Sequence, residues 1–390
     1  MTVLAVFFTR GVSLKQWLDS GLFDREVLIY LHHLNSHQFD EIVWLTYGTS
    51  DADAARALRA QGRLPERIRV VPMPAWFSKF RRGASLIYSL VMPFIVRRDL
   101  ARCNVFKTNQ MDGALAAVLA SRLFNRPLYI RTGYTLSVFV DRIHPRNPLR
   151  RAFAWMTEQI AFRFCAAASV SSQYDRDYVV RRYALPGAPP AVIGNFIDVQ
   201  RFSPRPSVVA RERMVFVGRF SAQKNLEAAI RASNSVGVGL DVIGDGPDRV
   251  KLQSLAEALD ADIQWLGLLP NDALPDVLAS YRYFLLPSLW EGMPKALLEA
   301  MAVGMICIGN DALGINEVIQ DGVTGYLSSG PEASQLIQAI QRAMAGNHAS
   351  VAVAGRAYIC ENFSLEAVAA RERDIFNSLR IMATHNGEAL

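Results

Sequence analysis

Several features that would assign a chain to a class of protein are missing from this sequence. Its four cysteines form no Cys-x-x-Cys pair and have no histidine set beside them; they lie far apart, at Cys103, Cys165, Cys307 and Cys360. This pattern argues against a disulfide framework or a zinc site, and it indicates small buried side chains in a reducing compartment. We therefore expect a cytoplasmic protein.

Long apolar runs are also missing. The longest uncharged one, ASLIYSLVMPFIV at 84–96, is shorter than the about 20 residues that a membrane-spanning helix needs. The N-terminal stretch MTVLAVFFTRGV has no basic residue ahead of its apolar run and no small-x-small cleavage site. We interpret it as a first buried strand rather than an export signal.

The sequence does contain ample apolar material and an excess of positive charge. Hydrophobic residues make up 51% of the 390 residues and charged residues 20%, which suits two buried cores. The formal net charge is +6, and arginines cluster beside aromatic residues in two segments, 76–98 and 146–155. The residues concerned are Trp76, Phe77, Phe80, Arg81, Arg82, Arg97 and Arg98 in the first, and Arg146, Arg150, Arg151, Phe153 and Trp155 in the second.

These two segments suit the anionic headgroups of a membrane surface, although a solvated basic face explains them equally well. Peripheral attachment to the inner face of the membrane is therefore one of two open interpretations. No nucleic-acid-binding motif accompanies the segments, so we expect no nucleic-acid partner.

Short apolar runs rich in β-branched residues alternate with helical patterns along the chain. The first seven runs are 3–8, 42–47, 68–71, 104–108, 127–131, 168–170 and 191–194, and the first helical pattern covers 14–34. After a linker rich in proline and arginine at 203–213, the alternation restarts with MVFVG, LDVIG, IQWLG, YFLLP and MICIG. This predicts an α/β protein with two Rossmann-like, doubly wound domains facing each other across a cleft. The predicted divisions are 1–203, 204–362 and a C-terminal helix, 363–390, that packs back on the first domain.

Three motifs follow predicted strands of the second domain, where ligands bind in such sheets. In VGRFSAQKN, Gly218 permits a tight turn, and Arg219 and Lys224 offer two cations that suit a diphosphate. Gly244 in IGDGPDRV and Gly267 in IQWLG end two further strands. Each motif alone is also explained by an ordinary turn, and the glycine pattern is not the GxGxxG of a dinucleotide site.

A fourth motif, WEGMPKALLEA at 290–300, carries two glutamates around a loop-to-helix junction. Gly292 allows close approach of a ligand to the backbone, and Pro294 suits the first turn of a helix. A phosphate above this helix start is stabilised by the free N–H groups. The two acids would then bind hydroxyl-rich groups on either side of the phosphates. The remaining candidates at the junction are Glu291, Met293, Lys295 and Glu299.

In this order, the four motifs resemble the C-terminal domain of the family 4 glycosyltransferases, which are retaining enzymes of the GT-B fold. The segments VIGNFIDVQRFSP at 192–204 and DALGINEVIQDGVTGYL at 311–327 resemble that family as well. The resemblance covers most of 165–380, whereas residues 1–165 match in architecture only.

The resemblance implies that the first domain binds a glycan or lipid-linked acceptor and the second a nucleotide-diphosphate sugar, in cell-surface polysaccharide or glycolipid synthesis. It assigns Arg219 and Lys224 to the diphosphate, Glu299 to the ribose, and Glu291 with the backbone of 292–295 to the transferred sugar. Catalysis would rest on positioning and on stabilisation of the leaving group, with Glu291, Arg219 and Lys224 as the catalytic set. No cofactor and no metal ion are expected.

The N-terminal half departs from the family in two places. The family's glycine-rich turn after the first strand is reduced here to Gly11, and the position of a frequent histidine after the strand at 127–131 is occupied by Thr132 and Gly133. We take these three residues as candidates for the loop that faces the sugar.

Other interpretations are weaker. Asp51-x-Asp53 spells a metal-binding pattern, but it also suits a helix start, and His33 and His37 share helical spacing without an acid to complete a zinc set. A sugar-nucleotide epimerase of the same fold, a non-catalytic glycosyltransferase-like partner protein and a two-lobed solute-binding protein remain as alternative functions.

Overall fold

The computed structural model describes residues 1–80, 83–143, 146–206, 208, 210–346 and 348–385. Arg81 and Arg82 of the first basic segment lie outside the described residues. The chain divides into two compact units: unit 1 contains residues 1–193 and the C-terminal segment from Ala369, and unit 2 contains Gly194–Val368. The sequence predicted the first boundary after residue 203 and the second before residue 363.

Unit 1 is built on a seven-stranded parallel sheet. Its strands are β1 (Val3–Phe7), β2 (Glu41–Leu45), β3 (Ile68–Val71), β4 (Val105–Thr108), β5 (Leu128–Arg131), β6 (Ala167–Val170) and β7 (Ala191–Val192). The strand order is β3-β2-β1-β4-β5-β6-β7, so the winding direction reverses between β1 and β4. All five residues of β1 are buried, as expected for a central parallel strand covered on both faces.

Among the described residues, nine α-helices lie between these strands: α1 (Leu14–Asp19), α2 (Phe23–Asn35), α3 (Asp51–Ala60), α4 (Ala84–Ile95), α5 (Arg97–Ala101), α6 (Ala114–Phe124), α7 (Leu136–Ile143), α8 (Pro148–Phe164) and α9 (Gln173–Arg182). The single helical pattern predicted over 14–34 is two helices. Gly21 has a φ of +67°, a left-handed conformation that breaks the helix between Asp19 and Phe23. Within the described residues, no helix combines the length and the apolar character needed to cross a bilayer.

Unit 2 is built on a six-stranded parallel sheet with the strands β8 (Arg211–Val217), β9 (Leu240–Ile243), β10 (Ile263–Gly267), β11 (Tyr281–Leu286), β12 (Ile306–Asn310) and β13 (Tyr326–Ser328). The order is β10-β9-β8-β11-β12-β13, and the winding reverses between β8 and β11. Its helices are α10 (Leu226–Val236), α11 (Arg249–Ala258), α12 (Leu274–Ala279), α13 (Lys295–Ala302), α14 (Ala333–Ala345), α15 (His348–Phe363) and the start of α16 (Leu365–His385).

The predicted linker at 203–213 ends earlier than expected, because β8 already begins at Arg211. Arg213 donates to the buried carboxylate of Asp241 at 2.7 Å and also pairs with Asp262. These ion pairs to β9 and to the residue before β10 explain how a charged segment without apolar periodicity starts a strand.

The C-terminal part of α16 is joined to the unit 1 sheet by a buried charge cluster. Lys107 on β4 donates to both carboxylate oxygens of Glu372 at 2.7 Å, and His33 Nε2 lies 3.0 Å from Glu372 Oε2. Arg131 Nε is 3.7 Å from Oε1 of the same carboxylate. Lys107, Glu372 and His33 are each only 1% exposed. His33, for which the sequence favoured a solvated or packed histidine over a zinc ligand, is therefore a packed core residue that contacts a carboxylate.

The pKa values in this cluster follow from burial and charge. Burial alone would raise the pKa of Glu372, but the positive charge of Lys107 and the hydrogen bond with His33 outweigh it and hold that pKa well below its ordinary value. Burial lowers the pKa of His33, so its imidazole is neutral at pH 7. Because a carboxylate only accepts hydrogen bonds, the hydrogen of that neutral ring is on Nε2.

Candidate active site

The loops that carry the predicted donor-binding residues meet where the unit 2 sheet reverses its winding. Gly218 follows β8, and the WEGMPKALLEA segment follows β11, the strand paired with β8. In doubly wound sheets the crevice outside the carboxyl ends of two such strands is the usual ligand site. The sequence assigned these segments to separate strands, and the strand order brings them together.

Lys224 and Glu291 are in direct contact at this position. Lys224 Nζ donates to Glu291 Oε1 at 2.5 Å, and the two side chains are 19% and 9% exposed. The sequence predicted one of them at a diphosphate and the other at a sugar, without a bond between them. Their contact holds an ammonium and a carboxylate side by side beyond the ends of β8 and β11, where each fixes the other's orientation.

Arg219 differs from Lys224 in having no such partner. Its side chain is exposed, and the described part of the chain contains no carboxylate paired with it. The preceding residue must be small, because a Cβ on Gly218 would lie 2.9 Å from the Phe216 ring and 3.6 Å from Lys224 Cε. A guanidinium without a counter-ion beside a paired lysine gives this loop an excess of positive charge that suits an anionic ligand.

Three loops are tied together by hydrogen bonds around this pair. Gln223 Nε2 donates to the carbonyl of Trp290 at 2.8 Å, and the N–H of Leu289 donates to the carbonyl of Gln223 at 2.8 Å. The N–H of Glu291 donates to the carbonyl of Leu313 at 2.8 Å. The position of Glu291 is thus fixed from both sides.

Gly314 allows the loop that contains Leu313 to pack against the loop of Glu291 and Gly292. Its φ is +81°, and a Cβ there would lie 2.5 Å from the carbonyl oxygen of Gly292. The sequence placed this glycine in a segment that resembles the family but gave it no role. Its positive φ and the close packing both depend on structure distant in sequence, so no local pattern indicates them.

Gly244 and Gly246 bring the loop after β9 against the loop after β8. Gly244 has a φ of +139°, and a Cβ there would lie 1.9 Å from the carbonyl oxygen of Gly218. A Cβ on Gly246 would lie 2.2 Å from the carbonyl oxygen of Phe220. The N–H of Gly244 donates to the carbonyl of Gly267 at 2.8 Å, and Gly267 has a φ of +70° with open space around it. These glycines therefore allow the loop after β9 to pack closely against the loop that carries Arg219.

The junction between β11 and α13 leaves its backbone accessible. A Cβ on Gly292 would meet no atom within 4 Å, so a ligand has room to approach. Pro294 is the residue that precedes α13 rather than its first member, and the side chain of Met293 packs against the core of unit 2. Glu299 is 9% exposed, and its Oε1 lies 3.9 Å from Lys295 Nζ on the same helix face. One acid thus lies in the loop and the other one turn into the helix.

The three candidates in unit 1 lie at two loops of its sheet. Gly11, with a φ of +79°, follows β1. The Thr132 hydroxyl donates to the carbonyl of Tyr134, and the N–H of Gly133 donates to Gln110 Oε1 at 2.6 Å. Thr132 therefore keeps its hydroxyl within its own turn. Gln110, which the sequence did not single out, reaches this loop from the end of β4.

The Asp51-x-Asp53 pattern has structural partners. The buried carboxylate of Asp51 accepts the N–H groups of Leu14 at 2.9 Å and Lys15 at 3.2 Å, so it stabilises the start of α1 rather than that of its own helix. Asp53 pairs with Arg56. In the described ranges, no group of three or more His, Cys, Asp or Glu side chains has an arrangement suited to a metal ion.

Comparison with known proteins decides the family. Residues 202–358 match the family Glycosyl transferases group 1, and residues 30–201 match Glycosyltransferase Family 4. The chain belongs to the family 4 glycosyltransferases. The prediction made from the motifs is confirmed, and the matches include every candidate residue except Gly11.

Individual relatives of this glycosyltransferase are distant. The UDP-Gal:alpha-D-GlcNAc-diphosphoundecaprenol alpha-1,3-galactosyltransferase of Escherichia coli is 25% identical over 258 residues, which cover 61% of this chain and 66% of that protein, just under two thirds. The alpha-D-kanosaminyltransferase of Streptomyces kanamyceticus is 26% identical over 306 residues, 71% of this chain and 78% of that protein. These relatives do not favour an epimerase or a non-catalytic partner.

The fold of this glycosyltransferase is also shared with solved structures. Anabaena HepE, in its complex with UDP, superimposes with a TM-score of 0.74 over 97% of this chain and all of that one, at 18% identity. The predicted GT-B fold of two Rossmann-like domains is confirmed.

Proposed function

We propose that this glycosyltransferase moves a sugar from a nucleotide-diphosphate sugar to a hydroxyl of a glycan or lipid-linked acceptor, with retention of anomeric configuration. The observation that carries the proposal is the loop cluster at the reversal point of unit 2. There Arg219 lacks a counter-ion within the described residues, Lys224 is held by Glu291, and Gly292 leaves the backbone accessible. This set provides positive charge for a diphosphate and carboxylates for hydroxyl groups.

In this proposal the residues have separate roles. Arg219 and Lys224 bind the diphosphate and stabilise the charge that develops on it as the glycosidic bond breaks. Glu291, held by Lys224 and by the loop at Leu313, orients the transferred sugar. Glu299 accepts hydrogen bonds from the ribose hydroxyls. The leaving phosphate takes the proton of the acceptor hydroxyl, so none of these carboxylates acts as the base.

Calorimetry with UDP-, GDP- and ADP-sugars tests donor binding. UDP-sugars come first because the name of the Escherichia coli relative includes UDP-Gal. Loss of one charge-assisted contact in Arg219→Gln or Glu299→Ala is expected to weaken binding about 10- to 100-fold. Arg231→Gln serves as the control, since Arg231 is exposed on α10 and pairs with the surface residue Glu227. The proposal fails if no nucleotide sugar binds, or if both site variants bind like the control.

Stereochemistry and metal dependence need separate tests. NMR of the anomeric proton during turnover is expected to show the donor's configuration in the first product, and an inverted product would refute retention. We also propose that transfer needs no resident metal, because Arg219 and Lys224 supply the positive charge at the diphosphate. Activity is expected to survive dialysis against EDTA, and a loss restored by Mg²⁺ or Mn²⁺ would refute this part.

We further propose that unit 1 binds an anionic membrane surface. On α4, Ile87, Leu90 and Phe94 form a stripe at helical spacing and are 43%, 50% and 55% exposed. Arg97 and Arg98 on the next helix are exposed as well. The second segment provides further exposed groups: Arg146, Leu149, Arg150, Arg151 and Trp155. Apolar side chains beside arginines suit the boundary between headgroups and acyl chains.

Vesicle flotation tests this surface. The protein is expected to float with vesicles that contain anionic phospholipid and to remain behind with neutral ones. Leu90→Ser with Phe94→Ser, or Arg97→Gln with Arg98→Gln, is expected to reduce flotation, whereas Val353→Ser is the control at an apolar residue of unit 2 that is 69% exposed. Flotation unaffected by either pair would exclude this surface.

A further inference from the structure

The pair of Lys224 and Glu291 is held together by the backbone of its two loops. Gln223 and Trp290, the residues that precede them in the chain, are joined by the hydrogen bond from Gln223 Nε2 to the carbonyl of Trp290. The N–H of Glu291 is bound in turn to the carbonyl of Leu313. Because these bonds fix the backbone at both residues, the ammonium and the carboxylate separate only by rotation of their side chains.

This contact offsets much of the positive charge of Lys224. Its Nζ lies 2.5 Å from Glu291 Oε1, and the two side chains are 19% and 9% exposed, so water screens their attraction only in part. Arg219, by contrast, has no paired carboxylate in the part of the chain that the structure describes. A diphosphate at these loops therefore meets one free cation and one cation for which Glu291 competes.

The substrate and the product of the proposed transfer differ in what they offer to Glu291. In the substrate, hydroxyl groups of the sugar donate to the carboxylate. Transfer breaks the bond between the anomeric carbon and the terminal phosphate oxygen. The electron pair stays on that oxygen, the anomeric carbon forms a bond with the acceptor oxygen, and the phosphate takes the acceptor's proton. The product phosphate then loses this proton to water at pH 7, because its second pKa is about 6. The carboxylate thus gains hydrogen bonds from the substrate and faces an added negative charge in the product.

We infer that Glu291 sets the preference of the site for the nucleotide-diphosphate sugar over the nucleoside diphosphate, and that its pairing with Lys224 promotes release of this product. With the donor bound, the sugar hydroxyl groups share the carboxylate, its hold on the ammonium weakens, and Lys224 donates to the diphosphate. Once the sugar has left, the carboxylate competes with the product for the ammonium. The inference rests on the proposed transferase function and adds a role in product release.

Calorimetry on the full-length protein with UDP and UDP-galactose measures this preference. UDP-galactose comes first because the name of the Escherichia coli relative includes UDP-Gal, and the donor screen replaces the pair if it selects another nucleotide. Glu291→Gln keeps the shape of the side chain but leaves the ammonium without its counter-ion, so a diphosphate becomes the group that compensates it. UDP is expected to bind about tenfold more tightly than in the wild type. UDP-galactose is expected to gain nothing, because it loses a charged acceptor for its hydroxyl groups.

Two further variants separate this effect from others. Arg219→Gln removes a cation without a carboxylate partner, so it is expected to weaken both ligands by a similar factor. Glu212→Gln is the matched control: Glu212 pairs with Arg282 at the start of β8, whereas the site lies beyond the other end of this strand. If Glu291 only supported the shape of its loop, Glu291→Gln would weaken both ligands, and that result would overturn the inference.

Product inhibition gives a second measurement. The inhibition constant of UDP against the donor is expected to fall about tenfold in Glu291→Gln and to stay unchanged in Glu212→Gln. A fraction of misfolded protein cannot imitate this result, because misfolding lowers the concentration of active sites and does not tighten the binding of an inhibitor.

The outcomes distinguish this inference from the proposed function. If the protein transfers sugar and Glu291→Gln binds UDP no more tightly than Glu212→Gln does, the inference is wrong and the transferase proposal stands. If Glu291→Gln tightens UDP binding but no sugar is transferred, the competition for Lys224 is supported and the transferase proposal fails. If neither the diphosphate nor the sugar nucleotide binds to any of these proteins, both are refuted.

Discussion

The buried contact between Lys107 and Glu372 gives the sharpest quantitative expectation for this glycosyltransferase. Both side chains are 1% exposed, and both carboxylate oxygens lie 2.7 Å from the ammonium. Glu372→Gln keeps the shape of the side chain but leaves a buried ammonium without its counter-charge. Removal of one partner of a buried pair costs about 3–5 kcal/mol. We expect the free energy for opening the attachment of α16 to unit 1 to fall by this amount.

The reciprocal variant is expected to cost less. In Lys107→Met the carboxylate keeps the hydrogen bond from His33 at 3.0 Å and the guanidinium of Arg131 at 3.7 Å. Replacement of both partners, Lys107→Met with Glu372→Leu, removes both charges of the pair, and His33 and Arg131 then lose the carboxylate that they contact. Such replacements are often close to neutral, so we expect the double variant to be more stable than Glu372→Gln by about 2 kcal/mol or more.

Native-state hydrogen exchange, read by mass spectrometry on peptides from the C-terminal part of α16 and from β4, measures this opening without global unfolding. A loss of 3–5 kcal/mol corresponds to exchange faster by roughly 150- to 5,000-fold. Asp374→Asn is the matched control, since Asp374 is an exposed acid on the same helix. Exchange in Glu372→Gln within about fivefold of the control, or a double variant less stable than Glu372→Gln, would refute the reasoning.

Further predictions concern the pH dependence of stability and the glycines Gly244 and Gly267 of unit 2. Acidification from pH 7 to pH 4 is expected to lower the urea midpoint of unit 1. The folded pKa values of His33 and Glu372 are both depressed, so the unfolded chain takes up protons at these two residues first, below about pH 6.5 and pH 4.3 respectively. Glu372→Gln is expected to flatten the part of this pH dependence that lies near pH 4. Gly244→Ala is expected to destabilise unit 2 by about 3 kcal/mol or more, because the new Cβ would overlap the carbonyl of Gly218 at a φ of +139°. Gly267→Ala meets no neighbour within 4 Å and should cost only the about 1–2 kcal/mol of its positive φ, so equal thermal shifts for the two variants would contradict this account.

Much of the fold was predictable because it rests on local patterns. The run at 68–71 is a strand with the predicted bounds, and the run at 263–267 is another, since short apolar segments between turn residues have few other solutions in an alternating chain. The errors fall where a local pattern competes with a specific contact. The helical pattern at 14–34 hides the left-handed Gly21, and the charged start of β8 is held by the pairing of Arg213 with Asp241.

The candidate site was predictable as a set of residues but not as a geometry. Arg219, Lys224, Glu291 and Glu299 were identified by their types, spacing and resemblance to the family. The contact between Lys224 and Glu291 joins residues 67 positions apart. The close packing of Gly314 against the carbonyl of Gly292 could likewise be identified only from the folded structure.

The sequence by itself determined the class of this protein, because apolar periodicity, turn residues and the motifs after each strand are local properties. The tertiary structure alone decided which strand ends become neighbours. Strand order depends on how distant segments pack, and it places β8 beside β11 and β1 beside β4. That order forms the Lys224–Glu291 pair, and the packing of α16 brings Glu372 to Lys107 across 265 residues of chain.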